Sequence, residues 1–544
     1  MHITRRSVSL TLILLLVPAM LLGAPGLVGA GTLFGAATDY SEFIPCMRVA
    51  AFDYSGEGAV DLMVTPTSIN WYMTVYGSDT GTFSLGSSTV TTGVPSSIAF
   101  GFFNGDEDHD MALACAGNNC VAVHINDGAG GFSGASNYPT NMTPVWVAAG
   151  DLNDDGYDDL VTANSGDDSV TVLMNDQDGT FTATNYAVFV GGPRVQPSAI
   201  ALGDFDGDAD LDIAVALELD GTFWAAFNDG TGAFSFGMTR NSAGLAPVSI
   251  VSADFNDDGY DDVAVANYLT SGSDNSVCVW LGGAGDSHTD FVGPDWHSVG
   301  DYLTSIAFGD FDADGTPDLA VADKNDDQVS VLLGDGEGDF GAPDSYTVGD
   351  EPVCIAAADF DSSGACDLAT ANNAGCGMSV LLSQASPPTI VDVTLNLEVG
   401  WNMVSVPVEA DDMTVGVIFP DAEAVYTWDP GTKSYIMPTT IDPELSYWVA
   451  MTSADTVTVT GEAVTTWTYA LSLGWNMAGS VYGDPVDMDD LVDDPAGSVQ
   501  KNAIYHWNPE TKSYDGATQI QEGLGYWMAC TDGCDLTITA PEET

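Results

Sequence analysis

The sequence predicts an all-β chain in two unequal parts. Three observations carry this. An acidic stretch ending in a short apolar run recurs seven times. Sixty glycines punctuate strand-like runs, with little long helical periodicity. Beyond the last acidic copy, a Trp-rich segment occurs twice. With 544 residues, 45% of them hydrophobic, the chain has room for several domains or one large repeat array around a sizeable core.

The seven copies are "AFDYSGEGAVDLMV", "GFFNGDEDHDMALA", "GDLNDDGYDDLVTA", "GDFDGDADLDIAVA", "ADFNDDGYDDVAVA", "GDFDADGTPDLAVA" and "ADFDSSGACDLATA". Their last carboxylates, Asp61, Asp110, Asp159, Asp212, Asp262, Asp318 and Asp367, are spaced by 49, 49, 53, 50, 56 and 49 residues. Repetition near this period marks a solenoid or a propeller built from one supersecondary unit per repeat. Within the third unit, "PVWVAAGD" runs into the acidic loop. "DLVTAN", "SVTVLMND" and "TATNYAVF" then follow as further strands, and four short strands make a propeller blade. The seventh unit stops at "MSVLLSQASPP" without a fourth strand. The early segment "LFGAATDYSEFIP" aligns with the fourth-strand region "DFGAPDSYTVGDEP" of the sixth unit. The expected fold is therefore a seven-bladed β-propeller closed by an N-terminal strand, followed by a tandem β-rich C-terminal region.

These repeats resemble the FG-GAP/VCBS family, the propeller type of integrin alpha chains and of many exported bacterial proteins. The eponymous string stands at Phe340-Gly341-Ala342-Pro343, and the resemblance spans roughly residues 32–385. It implies strand-flanked loops that bind calcium.

The residues support the same chemistry. Four aspartates fall within Asp310–Asp318, and two carboxylates about 5 Å apart repel by roughly 3 kcal/mol at an effective dielectric near 20. A cation removes that cost. Numbered from one at Asp151, the third copy offers Asp151, Asn153, Asp155 and Asp159 at positions one, three, five and nine. Gly156 allows a sharp turn, and the Tyr157 carbonyl can face inward. Ca²⁺ takes 6–8 hard oxygen ligands at about 2.3–2.6 Å, which this spacing can wrap around one point. The same positions hold Asp204, Asp206, Asp208, Asp210 and Asp212 in the fourth copy, with Ala209 in place of the glycine. They hold Asp254, Asn256, Asp258, Tyr260 and Asp262 in the fifth, and Asp310, Asp312, Asp314, Thr316 and Asp318 in the sixth. The first copy (Asp53, Ser55, Glu57, Asp61) and the seventh (Asp359, Asp361, Ser363, Asp367) are expected to bind more weakly. In the second, Phe102 and Glu107 replace an Asp and the Gly, leaving Asn104, Asp106 and Asp110 in a degenerate site. An EF-hand would need Glu at position twelve and flanking helices, whereas the sixth copy has Val321 there. A metal-free Asp/Gly turn is the plain alternative for any one copy.

The 9 Lys+Arg against 79 Asp+Glu give a net charge of −70, which repels nucleic acid and anionic lipid and favours cations. Part of the excess is a solvated acidic surface. Arg5 and Arg6 before an apolar run, with Val28-Gly29-Ala30 after it, read as a signal peptide over residues 1–30, and hence as export to the periplasm, cell surface or medium. A short membrane anchor is the competing reading of that run. No later segment is long and apolar enough to span a bilayer. Nine cysteines suit an oxidising compartment, and Cys115/Cys120, Cys366/Cys376 and Cys530/Cys534 are spaced to close hairpins; buried thiols are the alternative.

The longer spacings mark 191–197, 267–276 and 291–302, expected largely on the face opposite the acidic loops. Arg194, Tyr268, Trp296 and His297 are candidate ligand contacts there, with Trp71 and Lys324 on neighbouring loops. Against this, Trp296 would plug a blade junction and His297 cap a turn. No nucleophile elbow, phosphate loop or HExxH is present. The functional expectation is a non-enzymatic recognition or adhesion protein for a glycan or extracellular protein. The alternative is a secreted carbohydrate-active lyase or hydrolase acting through the long loops.

After a linker at 386–393, "LNLEVGWNMVSVPV", "AVYTWDPGTKSY" and "LSYWVAM" return as "YALSLGWNMAGSVY", "AIYHWNPETKSY" and "LGYWMAC". Two β-modules are expected, at 394–461 and 462–544, similar to the GWN…GYW modules at the ends of various exported bacterial proteins. Trp401/Trp475, Trp428/Trp507 and Trp448/Trp527 are equivalent pairs, read as core, with a binding platform for carbohydrate or for envelope attachment as the alternative.

Overall fold

The computed structural model describes residues 33–539 apart from 41–45, 67–68, 107, 189–192, 269–275, 284–290, 301, 375–376, 386–389, 411–412, 431, 444, 465, 484, 489–490, 495–497, 510 and 532–533. The signal segment at 1–30, most of the 267–276 loop and Cys376 therefore lie outside the described residues. The chain divides into two compact units that part at Pro387/Pro388.

The first unit holds seven antiparallel four-stranded sheets among the described residues. The third sheet is typical: Pro144–Gly150, Asp159–Asn164, Ser169–Asn175 and Phe181–Ala187, paired in chain order. Its second strand is buried at every residue, and its fourth is mostly exposed. Both faces of a sheet are covered by its neighbours, so the inner strands read as continuous apolar runs rather than alternating ones. Val161 and Ala163 pack with Ile213 and Val215 of the next sheet, whereas Leu160 packs with Ala112 and Ala114 of the preceding one.

Each first strand carries a register irregularity at its second residue, as between Pro144 and Trp146. Five of the seven begin with Pro, which has no N–H for the ladder and suits the first position of a strand. The bulged residue links adjacent sheets. Ser96 Oγ donates to the Pro144 carbonyl (2.8 Å), Ser198 Oγ to Pro247 (2.7 Å) and Thr304 Oγ1 to Pro352 (2.9 Å).

The seventh sheet takes its outer strand from Thr38–Tyr40, with Thr38 opposite Val380 and a further bridge from Phe34 to Ser383. Its core merges with that of the first sheet, where Ala356, Ala369 and Val380 cluster with Val49, Leu62 and Val64. The ring of sheets therefore closes on itself, and the unit is a propeller. Cys115 and Cys120 face one another across their hairpin as unbridged thiols.

In the second unit the two sequence repeats form matching sets of sheets. Each has a four-stranded sheet, ordered Gly400–Val404, Tyr447–Met451, Ala422–Asp429, Ser434–Ile436 in one and Gly474–Ala478, Tyr526–Cys530, Val499–Asn508, Ser513–Gly516 in the other. A three-stranded sheet accompanies each. The first of these begins with Ile390–Leu397, so residues 390–393, expected as linker, are strand.

The repeated motifs have local causes. Gly400 and Gly474 sit at φ 105° and 110°, which side chains rarely tolerate. Asn402 closes the preceding turn by exchanging hydrogen bonds with the Glu398 backbone (2.8 Å each), and Asn476 does the same with Ser472 (2.8 and 3.0 Å). Buried Tyr447 and Tyr526 accept backbone N–H bonds from Asp442 and Gln521 on their hydroxyls. The repeats meet through reciprocal bonds: Trp428 Nε1 donates to the Trp475 carbonyl (3.0 Å) and Trp507 Nε1 to that of Trp401 (2.8 Å). Such exchange of equivalent contacts is the signature of an isologous, near-twofold interface.

Candidate metal sites

Each acidic loop connects the first and second strands of its sheet, so antiparallel order puts the loops at one end of the strands. The loops share one wrap. The first-position carboxylate accepts backbone N–H groups from across the turn. Asp310 binds Asp314 N (3.1 Å) and Gly315 N (3.0 Å), and Asp151 binds Asp155 N (3.2 Å) and Gly156 N (2.8 Å). Position six is left-handed, with Gly156, Gly259, Gly315 and Gly364 at φ 87–93° and Ala209 at 75°. Position four is left-handed too, although it is not always glycine: Asp154, Asp257, Ala313 and Ser362 lie at φ 54–61°. Sequence reasoning singled out position six and missed position four.

Three carboxylate triads converge, each with ligand atoms within 4.8 Å of one another: Asp204/Asp206/Asp212, Asp310/Asp312/Asp318 and Asp359/Asp361/Asp367. The third and fifth copies place Asn153 and Asn256 where these have a carboxylate. There the amide oxygens accept the N–H groups of Asp155 (3.1 Å) and Asp258 (3.2 Å). The donor set is wholly oxygen, which suits a hard divalent cation. In the seventh loop the Ser363 hydroxyl oxygen, at position five, is buried without a hydrogen-bond partner. A cation among Asp359, Asp361 and Asp367 would engage it, so the residues present fit the ion.

The ninth-position carboxylate does more than the sequence indicates. It is buried in all seven copies, and its two oxygens bind two backbone amides. Asp318 accepts Phe311 N and Gly334 N (2.8 Å each), Asp367 accepts Phe360 N and Ser383 N (2.7 Å each), and Asp262 accepts Phe255 N (2.8 Å) and Gly282 N (2.7 Å). Asp61, Asp110, Asp159 and Asp212 repeat the pattern. The clamp ties the loop to the end of the third strand. From there Asn126, Asn175 and Asn228 donate Nδ2–H to the carbonyls of Tyr54 (3.0 Å), Phe103 (2.9 Å) and Leu152 (2.7 Å) in the preceding sheet's loop. The recurring Asn-Asp of "HINDG", "LMND" and "AFNDG" was the available signal.

Burial pushes Asp159, Asp262 and Asp367 up to about 7 and Asp212 to about 8, and raises Asp318 well above the carboxylate range, with neighbouring aspartates adding to it. Without a cation these groups favour protonation.

The second loop differs from the others. Phe102 replaces the first carboxylate and lies with Phe52 against His109, both ring pairs at 3.8 Å, and burial pushes that histidine down to about 4. The Asn104 amide donates to Asp106 (2.7 Å), occupying one of the remaining ligands. Glu107 lies outside the described residues.

The ligand-contact candidates fall in separate environments. The Arg194 guanidinium binds the Ser165 carbonyl and lies 3.7 Å from Asp168, anchoring its own loop. Tyr268 packs edge-on against Tyr302, and Lys324 pairs with Glu351 (3.4 Å). Trp296 and His297 belong not to a loop but to the outer strand Val292–His297 of the fifth sheet. Trp296 packs on the cluster shared by the fourth and fifth sheets, and His297 Nε2 lies 3.3 Å from Asp295.

Comparison with known proteins agrees with the repeat architecture. The family described as FG-GAP-like repeat matches at residues 103–162, 151–215, 254–321 and 310–370, each match running from one acidic loop into the next sheet. The chain thus carries FG-GAP-like repeats in a propeller. Among solved structures it is similar to BBS1N in complex with ARL6DN, soaked with lead (14% identity, 65% of this chain and 98% of that chain, TM-score 0.46). It is also similar to selenomethionine-substituted virginiamycin B lyase from Staphylococcus aureus (10% identity, 64% and 99%, TM-score 0.44) and to streptogramin B lyase (15% identity, 64% and 97%, TM-score 0.43). Likenesses this distant assign no activity. No curated protein matches the chain.

Proposed function

We propose that the protein is an exported, non-enzymatic recognition protein in which calcium locks seven propeller blades into a rigid platform for a glycan or extracellular protein. The observation that carries it is the oxygen-lined loop repeated at one end of the sheets, with its orphaned Ser363 hydroxyl. Ca²⁺ matches the donor type, the ligand number and the backbone carbonyls that position seven can add. Its role is structural: an ion that binds the folded form alone stabilises it by about 2.7 kcal/mol per site at a hundredfold excess over Kd. The opposite ends of the sheets are left to bind a partner. Export is supported by the N-terminal sequence and by the −70 charge, which suits a cation-rich medium.

Calorimetric titration of chelator-stripped protein tests the metal reading; several equivalents of Ca²⁺ are expected, and no binding overturns it. Screening the purified chain on polysaccharides tests the rest. Binding without turnover supports the recognition reading, and turnover abolished by substitutions in the long loops replaces it with an enzyme.

A further inference from the structure

Of the paired Trp residues of the second unit, Trp448 is buried with Met403 and Met477, and Trp428, Trp507 and Trp527 pack on that cluster, but Trp401 and Trp475 expose 47% and 48% of their surface and Tyr435 and Tyr514 48% and 47%. About half exposure of a flat ring leaves one face open. These rings line two adjacent hollows. One, of ≈ 460 Å³, is walled by Trp401, Tyr426, Tyr435, Trp448, Trp507 and Tyr514. The other, of ≈ 590 Å³, is walled by their counterparts in the other repeat, among them Trp475, Tyr505 and Trp527. Tyr435 and Tyr514 belong to both, so the hollows form one aromatic band across the reciprocal Trp428–Trp475 and Trp507–Trp401 bonds. The volumes fall in the ~300–1,000 Å³ range of ligand sites.

We propose that this band is a glycan-binding site for a neutral polysaccharide, each hollow taking pyranose units by their C–H faces. Three observations select that chemistry. Open ring faces suit flat stacking of a pyranose C–H face. Among the described residues, buried Trp448 Nε1 has no hydrogen-bond partner, and its counterpart Trp527 Nε1 makes no well-formed bond, leaning only on the Tyr514 hydroxyl. An indole N–H only donates, so it calls for an acceptor. Sugar oxygens supply one and a quaternary ammonium does not. Finally, among the described residues no charged side chain lines either hollow, and the chain carries −70, which disfavours uronates and sulfated sugars. Two equivalent hollows side by side fit a repeating polymer better than a single small molecule. All of the site's lining residues belong to the second unit.

The test is calorimetry and tryptophan fluorescence on the full chain with cellohexaose, xylohexaose, mannohexaose and laminarihexaose, and with hexagalacturonate, decaproline and tetramethylammonium in parallel. At least one neutral hexaose is expected to bind and quench fluorescence. The Trp401→Ala/Trp475→Ala double variant should weaken it by about tenfold or more, and Trp401→Tyr/Trp475→Tyr should restore much of it. Trp401 and Trp475 serve the reciprocal bonds through their carbonyls, so the fold should be kept and the Ca²⁺ stoichiometry should stay unchanged. The inference is overturned if no neutral hexaose binds, if decaproline or tetramethylammonium binds in their place, or if the Ala variant binds as well as the parent. In that last case the sugar site lies elsewhere, and the propeller reading survives.

Discussion

The second and sixth acidic loops are copies of one motif with different fates. The sixth keeps Asp310, Asp312 and Asp318 converging on one point. The second has Phe102 in place of the first carboxylate, lying against a partly buried His109 that desolvation pushes down to about 4. Both keep the ninth carboxylate, and in both it binds two backbone amides: Asp110 those of Phe103 and Asn126, Asp318 those of Phe311 and Gly334. A loop that lacks the first-position carboxylate has retained its clamp. Positions one, three and five are therefore the ones left to a cation under the proposed reading, whereas position nine is tied to the fold whether or not an ion is bound.

The largest expected effect separates loaded from stripped protein. With several loops each contributing about 2.7 kcal/mol at a hundredfold excess of Ca²⁺, chelation should lower the propeller's melting transition by many degrees; an unchanged midpoint breaks the metal reading. Single substitutions should come next. Asp110→Ala and Asp318→Ala each orphan two buried amides, at about 1–3 kcal/mol apiece. The Asp110→Ala loss should be the same with and without calcium, whereas Asp318→Ala should lose more in calcium and remove one equivalent of bound ion. Equal calcium dependence in denaturant titrations of both variants would erase the distinction between the loops.

Acidity should sharpen the contrast further. The folded-state values of Asp159, Asp262 and Asp367, pushed up to about 7, and of Asp212, about 8, exceed ordinary carboxylate values. The folded, metal-free protein thus holds protons that the unfolded chain releases. That contribution is fully present below about pH 4 and is lost as pH rises towards 8. Protons and calcium relieve the same repulsion, so calcium's increment to the melting temperature should grow from pH 5 to pH 8. A flat increment would mean that these carboxylates stay ionised without the ion.

Much of this was legible because the repeat is tandem: a period near 49 residues exposes four strands, the acidic loop and the missing outer strand that Thr38–Tyr40 supplies. Features set by distant partners were not. The clamp joins Asp318 to an amide sixteen residues on, and no side-chain pattern announces a backbone donor. The strand Ile390–Leu397 pairs with Asp455–Ala463, so local composition made its first residues look like linker. In Val292–His297, Pro294 interrupts the run and argues against a strand, but this is an outer edge, where proline is tolerated. The Trp pairs show a different limit. Repetition marks a position as structurally equivalent in both halves, and both a core and a binding platform satisfy that.

The smallest expected effect lies within one loop. Ala209 holds position six of the fourth copy at φ 75°, where the third, fifth, sixth and seventh copies have glycine. A left-handed conformation costs a residue with a Cβ about 1–2 kcal/mol. Ala209 N still donates to Asp204 (2.8 Å), as Gly156 N does to Asp151 (2.8 Å), so the wrap is kept and only the backbone is strained. Ala209→Gly should therefore raise stability by about 1 kcal/mol, less what the freer glycine gives the unfolded chain. The reverse change, Gly156→Ala, should lower it by a similar amount, both read from denaturation of the propeller transition. Calcium affinity should barely respond, because the ligand atoms stay where they were. If Ala209→Gly instead tightens calcium binding without changing the stripped protein, the strain exists only in the loaded loop, and the wrap is made by the ion rather than prepared for it.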